Sequence, residues 1–155
     1  SELQAQINGW YENGTEVVFS CGGSMVNSVI AAADAKNGKV IGVDTDQSKL
    51  SDRIITSAVK GLANSVKWAL GEFYAGKWGT IGGTGTQLGA TDDATGLPTA
   101  AASWKMTKFT VDEYNALLAK VKAGTIKINI SEYDEALTWV EKLTVEGTIT
   151  VTLEK

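Results

Sequence analysis

The first third of the chain alternates helix-spaced apolar positions with short continuous apolar runs. Four side chains at helical intervals predict an amphipathic helix over residues 2–13: Leu3, Ile7, Trp10 and Tyr11. The runs Glu16–Cys21 and Lys39–Val43 are short and apolar, which predicts buried strands. Between them, Ser24 can cap a helix that runs to about Lys36. Because helix, strand, helix and strand follow one another through short turns, the sequence predicts a parallel α/β unit.

The middle of the chain combines one long apolar stripe with a glycine-rich segment. Residues 48–56 are polar and are expected to be irregular. The stripe that follows predicts a helix from about Ser57 to Ala75, with Lys60 on another face. Residues 76–103 are rich in Gly, Thr and Ala, and we expect a short strand there at Thr86–Ala90.

The last part of the chain predicts a capped helix and further α/β elements. Thr110 and Glu113 stand at the spacing of a capping box, which predicts a helix that ends near Ala123. The apolar pattern then predicts a strand at Thr125–Ile130, a helix from Ser131 to about Leu143, and a strand at Gly147–Leu153. The fold class expected from the whole pattern is α/β with a mainly parallel sheet.

Charge and composition exclude several classes of function. Hydrophobic residues make up 43% of the 155 residues, which is ordinary for a soluble globular protein. The formal net charge is -4, from 14 basic and 18 acidic residues, so no nucleic-acid partner is expected. The sequence has no histidine and one cysteine, Cys21, so it lacks the usual catalytic triad, disulfide and multi-thiol metal chemistry. A binding protein without metal or cofactor is therefore favoured over an enzyme.

The N-terminus has the pattern of the inside of a helix and not that of a signal peptide. Ser1–Gln4 lacks the basic start and the apolar stretch that a signal peptide needs. No apolar run in the chain reaches the roughly 20 residues of a membrane-spanning helix. We therefore expect the chain to be a fragment, with further sequence before Ser1.

Glycine and acidic residues follow the first two predicted strands at the point where each strand ends. Gly22 and Gly23 follow the first strand, and Asp44–Asp46 follows the second. The carboxyl ends of neighbouring parallel strands form the crevice in which open α/β sheets bind ligands. The glycines could also cradle a phosphate, but neither nucleotide-binding glycine pattern is present. Asp44 could equally be a turn former, because Asp-Thr-Asp suits a turn.

Several segments together resemble one known family. They are, in the family's order, Trp10–Phe19, Gly22-Gly23 with Asn27, Ile41–Gln47 and Ile55–Lys60. Over about residues 3–97 the chain resembles the basic membrane lipoprotein family, whose best-understood members are purine nucleoside receptors of ABC transporters. The resemblance implies a type I periplasmic-binding-protein fold, in which two α/β lobes joined by crossing strands hold a ligand between them.

The resemblance also implies a ligand site. Asp44 matches the family's acceptor of hydrogen bonds from ribose hydroxyls, and Lys60 matches its cationic companion on the sugar. Gly22 and Gly23 would bring backbone amides close to the ligand, and Phe19 would approach the base.

Two departures from the family pattern concern the base side of this site. Ser24-Met25-Val26 stands where relatives carry Thr-Gly, and the gap between Asp44 and Lys60 is short. The resemblance implies a nucleoside ligand, a purine nucleoside first, and the alternative is a receptor for a sugar or another small metabolite, or a sensor lobe of the same fold.

The resemblance divides the chain into three parts. Residues 1–47 would belong to the second lobe, 48–57 to a crossover or hinge, and 58–155 to the first lobe. It implies an extracytoplasmic protein, lipid-anchored or periplasmic, that works with an ABC permease. Because an incomplete lobe leaves sheet faces open, we expect the fragment to form a homo-oligomer or to pair with its missing half.

Overall fold

A computed structural model describes residues 1–127 of the chain. Four strands form one sheet, in the spatial order of their numbering: β1 (Val17–Phe19), β2 (Lys39–Asp44), β3 (Ile54–Lys60) and β4 (Thr95–Gly96). β1, β2 and β3 are parallel, whereas β4 runs antiparallel to β3. The α/β class and the mainly parallel sheet are thus confirmed.

Helices connect and flank these strands. They are α1 (Glu2–Glu12), α2 (Val26–Lys36), α3 (Leu62–Tyr74), the four-residue α4 (Trp78–Ile81) and α5 (Val111–Lys122). Two single turns of tighter 3₁₀ helix lie at Gly23–Met25 and Ala90–Asp92. The elements predicted beyond residue 127 lie outside the described part of the chain, as does most of the strand predicted at Thr125–Ile130.

The hydrophobic core lies where α1 and α2 pack on each other and on the first three strands. Its buried members are Ile7, Tyr11, Val18, Val26, Val29, Ala32, Ala33, Val40 and Ile54. The Tyr11 hydroxyl donates to the Lys39 carbonyl at 2.7 Å, which ties α1 to the start of β2. Gly38 leaves room for that ring, because a Cβ there would lie 2.2 Å from a Tyr11 ring carbon.

The predicted helix ends agree with the structure, but two predicted helix starts do not. α1 ends before Asn13-Gly14, and α2 ends at Asn37, whose left-handed φ of 57° suits a helix C-terminus. Ser24 does not cap α2, so that prediction was wrong. The residue lies inside the 3₁₀ turn that precedes the helix, and no side chain makes a capping bond there.

The helix predicted from Ser57 was also wrong at its start. Residues Ile54–Lys60 form β3, which pairs with β2 through Ser57↔Gly42 and its neighbours, and the helix begins only after Gly61. Lys60 is therefore the last residue of a strand and not part of a helix face. Residues 54–57 of the predicted crossover lie in this strand, and the division into lobes stays a prediction.

The segment before α5 also differs from the prediction. No strand forms at Thr86–Ala90, and the nearby β4 at Thr95–Gly96 pairs with the end of β3. The capping box of α5 is confirmed: Thr110 Oγ1 accepts from the Glu113 amide at 3.2 Å, and the Glu113 carboxylate accepts from the Thr110 amide at 2.8 Å. Tyr114 of this helix accepts a hydrogen bond from the Leu97 amide, which docks α5 beside β4.

Candidate functional site

An acidic and a basic side chain meet where β2 and β3 end. Asp44 is the last residue of β2, and its register partner on β3 is Val59, so Lys60 follows directly beside it. The Lys60 ammonium nitrogen lies 2.5 Å from Asp44 Oδ1. Side-chain exposure is 65% for Lys60 and 42% for Asp44, so a ligand can reach both groups. The two residues singled out in the sequence are therefore brought together at the carboxyl edge of the sheet.

The carboxylate of Asp44 is held unevenly. Its Oδ1 atom is shielded from solvent and accepts no hydrogen bond of normal geometry from any described residue, although the Lys60 ammonium is in contact. The Lys60 ammonium takes the place of the water that Oδ1 has lost, so the exposed remainder of the carboxylate is the part that a ligand can reach.

The backbone at Asp44 turns sharply. Its φ is 67°, in the left-handed region that few residues other than glycine adopt. The next amide, that of Thr45, donates back to the Val43 carbonyl at 2.8 Å, so β2 ends in a tight turn. Aspartate tolerates such a conformation better than most residues, which suits it to a strand end that must present a carboxylate.

Gln47 folds back onto β2 and fixes the loop after Asp44. Its side-chain Oε1 accepts from the Val43 backbone amide at 3.0 Å, and its backbone amide donates to Ser57 Oγ at 3.1 Å. Gly42 leaves the space for this contact, since a Cβ there would lie 2.5 Å from Gln47 Oε1 and 2.7 Å from Ser57 Oγ. The Gly-Val-Asp-Thr-Asp-Gln pattern thus combines a presented carboxylate with the side chain that secures its turn.

Asp46 points to a different part of the chain. Its Oδ2 accepts from Ser103 Oγ at 2.5 Å, and its Oδ1 accepts from the Ser48 amide at 3.0 Å. The hydrogen bond from Ser103 holds the pKa of Asp46 below its ordinary value, and Ser48 and the positive charge of Lys49 act in the same direction. The Asp-Thr-Asp pattern suits a turn, and nothing in it indicates the distant partner Ser103.

The glycine turn and Phe19 lie at the neighbouring strand end. Phe19 is the last residue of β1, is 49% exposed, and pairs with Ile41 of β2. Gly23 has a φ of 45°, which favours glycine, and a Cβ on Gly22 would meet the Met25 sulfur at 2.1 Å. Because β1 and β2 are parallel neighbours, this turn and Asp44 share one edge of the sheet.

Residues 1–127 hold neither a metal-binding cluster nor a membrane-spanning helix. No cluster of three or more His, Cys, Asp or Glu side chains in this range could hold a metal ion. None of its helices combines the length and the apolar character needed to cross a membrane.

The Asp44–Lys60 pair lies at the carboxyl edge of the sheet, where open α/β sheets bind their ligands. The sequence matches the family described as "Bmp: ABC transporter substrate-binding protein PnrA-like" over residues 5–132. The chain belongs to this family of substrate-binding proteins, which are not enzymes. No curated protein matches the sequence significantly.

A solved structure shows the same fold. It is the crystal structure of an ABC transporter system solute-binding protein from Aeropyrum pernix K1, with a TM-score of 0.60 and 19% sequence identity. The match covers 90% of this chain and 47% of that chain, so this chain spans about half the length of the solved protein. The arrangement described above is thus a part of a solute-binding-protein fold.

Proposed function

We propose that this chain contributes a nucleoside-binding site, for a purine nucleoside first, to an ABC-transporter substrate-binding protein. The observation that carries the proposal is the ion pair of Asp44 and Lys60, 2.5 Å apart and both open to solvent at the carboxyl edge of the sheet. Family membership supports a transported small molecule as the ligand, and the pair supports the ribose as the part that these residues bind.

The chemistry of the pair suits a ribose. A ribose presents neighbouring hydroxyl groups, each of which can donate one hydrogen bond and accept others. A carboxylate accepts two such donors at once, and hydrogen bonds with an ionised partner are stronger than neutral ones. The Lys60 ammonium would donate to a sugar oxygen while it neutralises Asp44, so neither charge is left unpaired when a ligand excludes water.

We expect the base of the nucleoside to bind at the carboxyl end of β1. Phe19 is half-exposed on β1, beside the turn at Gly22 and Gly23, and an aromatic face there could pack on a purine. Gly23 would let the ligand approach the backbone, because nothing lies within 4 Å of its Cβ direction, whereas the Met25 side chain lies over Gly22. These three residues stay predicted ligand contacts.

The wider role follows from the family. In the whole protein we expect a second lobe to close over the ligand by a hinge motion and an ABC permease to receive it. An extracytoplasmic location follows from that task, with a lipid anchor or a periplasm to retain the protein. We also propose that this chain forms homo-oligomers.

A sugar receptor is the second candidate. The Asp44–Lys60 pair accounts for sugar hydroxyls without any contact to a base, and the segment Ser24-Met25-Val26 departs from the family on the base side. A thermal-shift screen of nucleosides against pentoses separates the two candidates. Stabilisation by ribose but not by inosine would favour the sugar receptor.

The direct test is calorimetric titration of inosine into the wild-type chain and into Asp44→Ala. Removing one partner of a ligand-facing charge pair costs about 2 kcal/mol or more, so we expect affinity to fall by roughly thirtyfold or more. Asp34→Ala is the matched control, because Asp34 pairs with Arg53 on another surface. Undiminished inosine affinity in Asp44→Ala would contradict the site.

A further inference from the structure

The contact between Asp46 and Ser103 joins two segments that are 57 residues apart in sequence. Ser103 is buried, and its hydroxyl donates to Asp46 Oδ2 at 2.5 Å. Buried Ser48 adds a hydroxyl contact to Ser103 at 3.3 Å. The loop after β2 is thereby attached to a segment that precedes α5.

Ser103 belongs to a segment that is itself held in place by hydrogen bonds. The Lys105 amide donates to the Ile55 carbonyl of β3 at 3.0 Å. The Lys105 ammonium donates to the carbonyls of Ser48 and Ser51, at 3.2 and 3.3 Å. The segment at 103–105 therefore lies against the sheet on one side and against the loop 44–52 on the other, and it can serve as an anchor for that loop.

Asp46, the other partner in this contact, lies two residues after Asp44. Asp44 occupies a left-handed conformation at the end of β2, which an unsupported loop would leave readily. Gln47 secures the strand side of this turn through Val43 and Ser57. The hydrogen bond between Asp46 and Ser103 secures the outer side of the same turn.

A purely local role for Asp46 explains only half of its contacts. A turn former needs one carboxylate oxygen, and the bond from the Ser48 amide to Oδ1 serves that purpose. The second oxygen reaches a buried hydroxyl from a distant segment, which a local turn does not require.

We infer that Asp46, held by Ser103, is a positioning residue that keeps the Asp44 carboxylate aligned for its ligand. The inference rests on the proposed function, because it concerns the same site. It also bears on the predicted hinge at residues 48–57, since motion in that segment would have to break the contacts of Ser48 with Ser103 and Lys105.

The test is the effect of Ser103→Ala on inosine affinity, with and without Asp44. In the wild-type background we expect about fivefold to tenfold weaker binding, in the range found for residues that influence a site without touching the ligand. In the Asp44→Ala background the same substitution should change the remaining affinity by less than about twofold, because nothing is left to position. Ser103→Thr keeps the hydroxyl and should restore binding.

The control is Ser51→Ala, which removes a hydroxyl that accepts from the Arg53 amide and does not contact Asp46. If Ser103→Ala does not fold, Asp46→Asn carries the same comparison, because it removes the charge that the hydroxyl meets. Equal loss of affinity with and without Asp44, or no loss at all while Asp44→Ala abolishes binding, would overturn the positioning role and leave the proposed function standing. Failure of the wild-type chain to bind inosine would overturn both.

Discussion

Two regions of this chain have equally regular apolar patterns and very different surroundings. α1 and α2 bury their apolar faces against β1–β3, and the shared core includes Ile54 and Val40 at 0% exposure. α3 has no buried residue, and its stripe is open to solvent: Leu62, Val66, Leu70 and Phe73. Nothing among residues 1–127 covers that face.

The difference shows what an amphipathic pattern determines. Helical spacing of apolar residues predicts a helix and an apolar face, but it does not say which surface the face meets. For α1 and α2 the partner is a sheet formed by the adjacent segments. For the apolar stripe of α3, the ring contacts in the described residues are local, such as the edge-to-face pair of Phe73 and Trp78 at 5.9 Å. The first region therefore carries the stability of the described chain.

The largest expected contrast comes from matched truncations in the two regions. Ile54→Ala should destabilise the fold by about 2–5 kcal/mol, because it leaves a cavity in a packed core. Leu70→Ala removes the same number of carbons from an exposed face and should change the free energy of unfolding by about 0.5 kcal/mol or less. Urea unfolding of both variants measures the difference. Equal losses would mean that α3 is covered in solution.

Alanine substitutions at two glycines should change the stability of the fold in opposite directions. Gly42→Ala places a methyl group against Gln47 and Ser57 and should destabilise by about 1–3 kcal/mol through overpacking. Gly71 lies within α3 with nothing within 4 Å of its Cβ direction, so Gly71→Ala should stabilise by up to about 1 kcal/mol. Thermal unfolding of both variants measures the two changes in stability. Destabilisation by Gly71→Ala would show that α3 packs more tightly than described.

The smallest expected effect is a pH dependence of the stability of the fold, which arises from Asp46 in the sheet region. The hydrogen bond from Ser103 lowers the pKa of Asp46 in the folded chain, so the ionised carboxylate stabilises the fold at pH values above its ordinary pKa. That stability is lost as the pH falls through the lowered pKa. Asp46 is largely exposed, and solvent keeps the contribution small. Acid titrations of stability should be flatter for Asp46→Asn than for the wild type, and superimposable curves would contradict the contact.

The sequence alone predicts the elements whose signals are local. Asn37 ends α2 and Thr110 begins α5 because the required conformations and hydrogen bonds involve near neighbours. The boundary at Gly61 was missed because the apolar residues of β3 continue into the spacing of α3, and only the glycine separates them. Ser103 was missed for a different reason: its partner Asp46 is remote in sequence, and no local pattern identifies such a contact.

The candidate site was predictable only in part. Residue patterns placed Asp44 and Gly22-Gly23 at strand ends, and the family resemblance added Lys60. The proximity of Asp44 and Lys60 depends on the parallel pairing of β2 with β3. That pairing was not predicted, because residues from Ser57 onward were predicted to be helical. The 2.5 Å contact therefore arises from a strand that the sequence reading did not find, although it joins the two residues that the resemblance selected.

We propose that Asp44 binds the hydroxyl groups of a ribose. Comparing the affinities of inosine and of a dideoxy analogue without those hydroxyls, in the wild-type chain and in Asp44→Ala, tests it most directly. A site built to bind hydroxyls rejects ligands that lack them, so the wild type should prefer inosine by roughly a hundredfold or more, and Asp44→Ala should lose that preference. The same preference in both proteins, or none in the wild type, would contradict the claim.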